Sequence, residues 1–327
     1  MPAGKMLAVN AESIADCFGL GQPLGEPVVA AAGWGERSRV WRLETTAGVF
    51  AVKDTIAELL PEDTEEAFRI ERAAHEGGVP SADPVPSLAG TSFESLDGRW
   101  YRCHRWIEGV AKQNEDTTAD EAHAMGKVVA ALHALAIPAG PPRPPNAFGR
   151  QHWLDLARSR PHATWALSIE DHIDDIDASE ELGKAFHQEG TVGSHRDLNA
   201  HNVLFASDGP VLIDWDASGP ASASYERAST AMLWAQRHDG RLDVDIASGL
   251  LRGYLDGGGV IEPDDAAALP LWPSGVTWWT ERNVQIAISQ PSGYHDQLAT
   301  WLVDALARGV ETVQQRHLFL NTVMDQF

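Results

Sequence analysis

Apolar positions change their rhythm several times along the chain. Ile14, Cys17 and Phe18 follow Asn10 and Glu12 at helical spacing, which predicts a capped amphipathic helix stopping near Gly19 or Gly21. The runs Pro27–Ala32, Ser38–Thr45 and Gly48–Asp54 are then rich in Val, Phe and Trp and are separated by Gly33-Trp34-Gly35 and Thr46-Ala47-Gly48. They predict an antiparallel three-stranded meander. Thr64, Glu66 and Ala67 begin a helical stretch carrying Phe68, Arg69, Glu71 and Arg72, which ends at Gly77-Gly78 before Pro80, Pro84 and Pro86. The segment Arg99–Ile107 predicts one more strand, closed by Glu108-Gly109.

Beyond that point the pattern is helical. Thr118 and Glu121 form a capping box ahead of Met125, Val128, Val129, Leu132 and Leu135. Near the end, Leu298, Leu302, Leu306, Val310 and Val313 mark a second long amphipathic segment. The exception lies around residue 200, where Val203-Leu204-Phe205 and Val211-Leu212-Ile213, joined by Ser207-Asp208-Gly209-Pro210, predict a hairpin. The chain therefore reads as α+β, with a small antiparallel-sheet domain over 1–108 and a mostly helical domain over 109–327. Its 327 residues suit two domains at roughly 100–200 residues each.

Charge narrows the partners. The chain has 25 Lys and Arg against 47 Asp and Glu, a net charge of −22, and such a field repels nucleic acid and anionic lipid while attracting cations. Cys17 and Cys103 permit one bridge at most, and no apolar run approaches the roughly 18 residues of a membrane span, so a cytoplasmic protein away from membranes is expected. Of the 12 tryptophans, Trp272, Trp278, Trp279 and Trp301 fall at helical spacing and are expected to fill core.

The candidate chemistry is concentrated in VGSHRDLNAHNVLFASDGPVLIDWD, residues 192–216. The predicted hairpin sets Asn202 at one strand's start and Asp214 at the other's end, so the two side chains meet at one edge. One neutral and one anionic oxygen donor suit Mg²⁺, which completes its octahedron with phosphate and water. Asp197, on the preceding loop, can accept a hydroxyl's proton and aim its oxygen in line at a γ-phosphoryl group.

His195-x-Asp197 followed by Asn202, and then Ile213-Asp214-Trp215-Asp216, resembles the aminoglycoside phosphotransferase and choline kinase family, relatives of protein kinases. The resemblance implies a two-lobed kinase-like fold that uses ATP, or GTP, with Mg²⁺. Asp197 would be the catalytic base, Asn202 and Asp214 the metal ligands, and His195 a brace for the loop. Val49-Phe50-Ala51-Val52-Lys53 resembles the strand whose lysine clamps the α- and β-phosphates, with Glu71, or else Glu66, as that lysine's partner. Gly33, Gly35 and Ser38 stand where the family covers the phosphates, and the backbone around Arg105 and Ile107 where it holds adenine. Many relatives have glycine at the position of Arg196 and an aspartate at that of Glu226. No GxxxxGK[ST] occurs, which argues against a P-loop enzyme.

The acidic field favours a small cationic acceptor, with Asp216, Asp171, Asp174 and Asp175 as candidate contacts. An aminoglycoside or amino-sugar antibiotic fits, which would make the protein a resistance enzyme. A metabolic kinase of choline, homoserine or a sugar, or a nucleotide-binding pseudokinase, fits the same residues.

Overall fold

Alternation along three neighbouring strands decides what the first half of the chain does. The computed structural model describes residues 10–33, 38–55, 63–142, 144–184, 191–262 and 265–327. Gly35 of the expected phosphate-covering loop lies outside the described residues. Helix α1 (Ala11–Phe18) is capped by the Asn10 side chain and stops at Gly19, whose φ is 63°. The meander forms as β1 (Val28–Gly33), β2 (Ser38–Thr45) and β3 (Gly48–Thr55), followed by α2 (Thr64–Glu76), β4 (Pro84–Val85), β5 (Glu94–Leu96) and β6 (Arg99–Arg105). The sheet order is β1-β2-β3-β6-β4, with β5 also on β6.

In the β3–β6 register Val52 lies opposite Cys103 and Lys53 opposite Arg102. Paired residues share a face and successive residues alternate. Phe50, Val52, Tyr101 and Cys103 therefore pack with Trp41, Leu43 and Ile14, Phe18 and Leu20 in one buried cluster. Lys53, Arg102 and His104 are left for the opposite face. Helix α2 buries Ala67, Phe68, Ile70 and Ala74, and its Glu71 is buried in the same stripe.

The remaining elements are β7 (Val110–Ala111), α3 (Ala119–Ala134), α4 (Arg150–Ser159), α5 (Thr164–Asp171), α6 (Ile173–Lys184), β8 (Thr191–Ser194), β9 (Val203–Ala206), β10 (Gly209–Leu212), β11 (Gly219–Ser222), α7 (Ala223–Ala235), α8 (Val244–Asp256), α9 (Leu271–Ser289), α10 (Gly293–Ala307) and α11 (Gly309–Met324). The described residues of 1–113, 131–139 and 193–219 form one compact unit, and those of 114–130, 140–192 and 220–327 a second. In the first, β9 and β10 make the hairpin, with a turn tighter than the sequence suggests: Gly209 and Pro210 already pair with Ala206 and Phe205.

The second unit is helical around Trp153, Trp165, Ile169, Ile176, Val284, Val303 and Leu306. Buried Glu180 accepts from the backbone N–H of Phe148 (3.1 Å) and Gly149 (2.8 Å) and from Trp153 Nε1 (2.8 Å), capping the start of α4. Two expectations are corrected here. The final amphipathic stretch is two helices, broken at Arg308, and at the start of the second Gly309 passes so close to α6 that a Cβ there would lie 2.5 Å from Ser179 Oγ. Trp278 and Trp301 are 36% and 62% exposed, and Trp272 and Trp279 are half-buried, so core filling falls to other tryptophans. Among the described residues no helix is long and apolar enough to cross a membrane.

Helices α3 and α8 touch through glycine. A Cβ on Gly253 would sit 1.9 Å from the His123 carbonyl oxygen, and one on Gly126 2.0 Å from that of Leu250. Both obstacles are backbone, so a methyl group can enter only by separating the helices. Gly253→Ala is expected to destabilise the protein by roughly 3 kcal/mol, read from urea unfolding. A loss under about 0.5 kcal/mol would show that this contact is not close-packed.

Candidate active site

The segment 194–216 is held by short-range bonds that its own sequence supplies. Buried His195 donates from Nε2 to the Ile213 carbonyl at 2.9 Å and accepts at Nδ1 from the Asp197 N–H at 3.3 Å. Its ring lies 4.7 Å from that of Trp215, a fully buried side chain. Arg196 and Asp214 have φ of 68° and 60°, the left-handed region that L side chains occupy at a cost of roughly 1–3 kcal/mol each. Position 196 would suit a glycine by its backbone geometry, and here an arginine is held in that conformation.

Asn202 is 5% exposed, in the 3-10 turn Ala200–Asn202. Its Nδ2 donates to the Asp197 carbonyl at 3.0 Å and to Asp197 Oδ2 at 2.9 Å, while Asn199 Nδ2 donates to Asp197 Oδ1. The Asp197 carboxylate is fixed at both oxygens, and Asn202 has spent its donors, leaving Oδ1 as its acceptor. The Ile213 N–H donates to the Asn202 carbonyl at 3.0 Å, which brings the next residue, Asp214, to the same hairpin edge. The fit to a hard divalent cation is good: one amide oxygen and one carboxylate, the latter 41% exposed and, among the described residues, bonded through Oδ1 alone.

Lys53 Nζ donates to Asp214 Oδ1 and Asp216 Oδ2, both at 2.6 Å. Arg102 donates through Nη1 to Asp216 and through Nη2 to Glu71, and His104 Nε2 lies 2.8 Å from the other Glu71 oxygen. The result is a continuous chain, Glu71–Arg102–Asp216–Lys53–Asp214. It corrects the expected ion pair, since neither helix glutamate holds the lysine. Arg102, longer and directly across the sheet from Lys53, takes the buried Glu71 carboxylate, and Glu66 bonds Arg69 at 2.7 Å. Sequence reasoning missed Arg102 and His104. The available signals were a carboxylate in the apolar stripe of α2 and the alternation of 102 and 104 against Tyr101 and Cys103.

Charge within the chain is mutually stabilised. Burial alone would push the Asp216 and Glu71 carboxyls up; Lys53 and Arg102 hold Asp216 well below the usual carboxylate range, and Arg102 and His104 bring Glu71 below its own. Burial opposes the Lys53 ammonium as well, yet Asp214 and Asp216 raise it above the ordinary lysine value. Carboxyls with lowered folded values bind fewer protons folded than unfolded. Their stabilisation is therefore complete above the ordinary values of 4.5 and 3.8 and is lost as pH falls through the lowered folded values. The melting-temperature gap between wild type and Glu71→Gln should be constant down to about pH 5 and close below it. A gap that persists unchanged to about pH 3 would mean that Glu71 is not ionised in the fold.

The model of the phosphotransferase enzyme family matches residues 28–260, from β1 through α8. The chain belongs to the phosphotransferase enzyme family. In sequence, this phosphotransferase is 26% identical over 269 residues to a homoserine kinase of Caulobacter vibrioides, covering 81% of this chain and 82% of that protein. In structure it is similar to a spectinomycin phosphotransferase solved with ADP and spectinomycin, with a TM-score of 0.64, 15% identity and coverage of 92% and 97% of the two chains. It is also similar to an amicoumacin kinase solved with AMP-PNP and Ca²⁺, with a TM-score of 0.65, 12% identity and coverage of 90% and 91%. The α+β, kinase-like fold is thereby established.

The other expected site residues of this phosphotransferase are placed as follows. Gly33 and Ser38 pair at the ends of β1 and β2. The Arg105 N–H is used by the Asp83 carbonyl at 2.9 Å, its side chain reaches the Ala47 carbonyl, and Ile107 is half-buried just beyond β6. Glu226 is buried in the first turn of α7. Asp171, Asp174 and Asp175 are exposed in the helical unit, where Arg150 bonds Asp174 and His172 lies 3.5 Å from Asp175.

Proposed function

We propose that this phosphotransferase moves the γ-phosphoryl group of ATP, or of GTP in its place, to a hydroxyl of a small amino-bearing acceptor, with Mg²⁺ as the ion. The observation that carries the reading is an Asp197 carboxylate locked at both oxygens, together with the Ile213 N–H bond to the Asn202 carbonyl that brings Asn202 and Asp214 to one hairpin edge, where Asn202 Oδ1 and Asp214 would hold the ion. When bound there, Mg²⁺ offsets charge developing between the β- and γ-phosphates.

The protein's own groups do the rest. Lys53 turns an N–H to the α- and β-phosphates, and the carbonyl of Arg105 with the N–H of Ile107 holds adenine. Asp197 accepts the hydrogen bond of the acceptor hydroxyl and aims the oxygen at the γ-phosphorus. As that oxygen–phosphorus bond forms, the bond to the β,γ-bridging oxygen breaks and the hydroxyl proton passes to Asp197. Positioning supplies most of the acceleration, which is why the loop is fixed before substrate arrives.

For the acceptor, the homoserine kinase match over four-fifths of both chains supports a small amino-acid alcohol, and the net charge of −22 suits its ammonium group. A second reading, an amino-bearing antibiotic, draws on the spectinomycin and amicoumacin enzymes, which are similar to this chain in fold. ATP consumption, with Cys17 and Cys103 as free thiols, supports a cytoplasmic setting. The test is magnesium-dependent ADP release over a panel of homoserine, choline, ethanolamine, sugars, spectinomycin and aminoglycosides. Turnover several orders of magnitude above the no-acceptor rate is expected for homoserine or a close amino alcohol. Turnover on the antibiotics alone selects the second reading. Nucleotide binding with no turnover on any alcohol selects a pseudokinase and overturns both.

A further inference from the structure

Arg102 is 3% exposed, and its guanidinium lies 5.3 Å from the Phe93 ring centre, with one terminal nitrogen on Glu71 and the other on Asp216. Lys53 shares Asp216 with it and also holds Asp214. An ammonium has three protons, and two of those on Lys53 are engaged by carboxylates. One proton is left, so to serve both the α- and the β-phosphate it must loosen its hold on at least one of them. That is inexpensive only if the carboxylate it leaves keeps another cation, since an unpaired buried charge is strongly unfavourable.

Asp214 gains a cation when the metal arrives; Asp216 already has one. We propose that Arg102 is a positioning residue for nucleotide binding, carrying the Asp216 charge so that Lys53 is free to turn to the phosphates, and anchoring the 214–216 turn to α2 through Glu71. The control of the lysine from the helix is therefore indirect, Glu71 through Arg102 and Asp216 to Lys53. Asp216 is then occupied by the sheet and is neither a metal ligand nor an acceptor contact. The inference rests on the reading of Lys53 and Asp214 given above.

The test uses the full chain and reads Mg·ADP affinity by calorimetry, with the KM for ATP and for the acceptor alongside. Arg102→Met alone strands the Glu71 carboxylate and risks unfolding, so the working variant is Arg102→Met/Glu71→Gln, which removes both partners of that buried pair. It should stay folded, with Mg·ADP affinity reduced about 10-fold and the KM for ATP raised similarly, while the KM for the acceptor holds. Adding Asp216→Asn to this variant removes the uncompensated charge and should restore most of the affinity. A merely structural Arg102 predicts no such rescue. Unchanged Mg·ADP affinity in the working variant, or no recovery on adding Asp216→Asn, overturns the proposal while the kinase reading stands. If the wild-type protein itself shows no magnesium-dependent nucleotide binding, the kinase reading falls and this inference with it.

Discussion

Asp197→Ala should abolish nearly all phosphoryl transfer, lowering kcat by about a thousandfold, while Mg·ADP affinity stays within a factor of about two. The expectation follows from how the carboxylate is held. Asn199 and Asn202 each donate to one of its oxygens, and its own N–H is tied to His195. Those bonds leave the group no freedom to reorient and spend each oxygen only once, so a second lone pair on each is open to a hydroxyl. Replacing it with a methyl group removes the acceptor for the proton and the aim of the attacking oxygen without touching Lys53 or Asp214. Steady-state kinetics and calorimetry on the same preparation decide the matter. A loss in kcat under tenfold would remove Asp197 from the reaction.

Asp214→Asn should cost on the order of a hundredfold in kcat and raise the magnesium concentration needed for half-maximal activity. The choice of asparagine is set by the backbone. Residue 214 has a φ of 60°, which asparagine tolerates and alanine resists, so the turn is preserved while the charge is removed. Two effects act in the same direction: the metal edge keeps two neutral oxygens in place of one neutral and one anionic, and Lys53 loses one of its two carboxylates. A magnesium titration of initial rates measures both. Wild-type magnesium dependence in this variant would assign the ion to other ligands.

Legibility in the sequence tracks the range of the interactions. The Asp197–Asn202 bond spans five residues, and the β9–β10 hairpin that brings Asp214 to the same edge is itself local, so the spacing of His195, Asp197, Asn202 and Asp214 carries the geometry of the loop almost directly. The Glu71–Arg102 pair spans 31 residues and Arg102–Asp216 spans 114. Nothing periodic connects them. Lys53 is legible only through the resemblance of Val49–Lys53 to a kinase strand, and that resemblance supplies a helix glutamate as its partner, whereas this sheet gives the glutamate to Arg102 and leaves Lys53 to Asp214 and Asp216. At the end of the chain the stripe from Leu298 to Val313 reads as continuous, but the structure breaks it at Arg308, beside Gly309, which packs closely against Ser179 of another helix.

Amino-acid order alone determined the meander, the capped helices, the hairpin and the loop that aims Asp197, because each depends on propensities and bonds within a few residues. It also fixed an acidic chain in which Asn202 and Asp214 come to one hairpin edge. Which cation answers which carboxylate was decided only when β3 and β6 came into register and α2 laid Glu71 against them, putting Arg102 opposite Lys53 and both within reach of Asp216. Charge pairing acts over a few ångströms in a buried site with little regard for separation along the chain, so it becomes visible only in the folded protein.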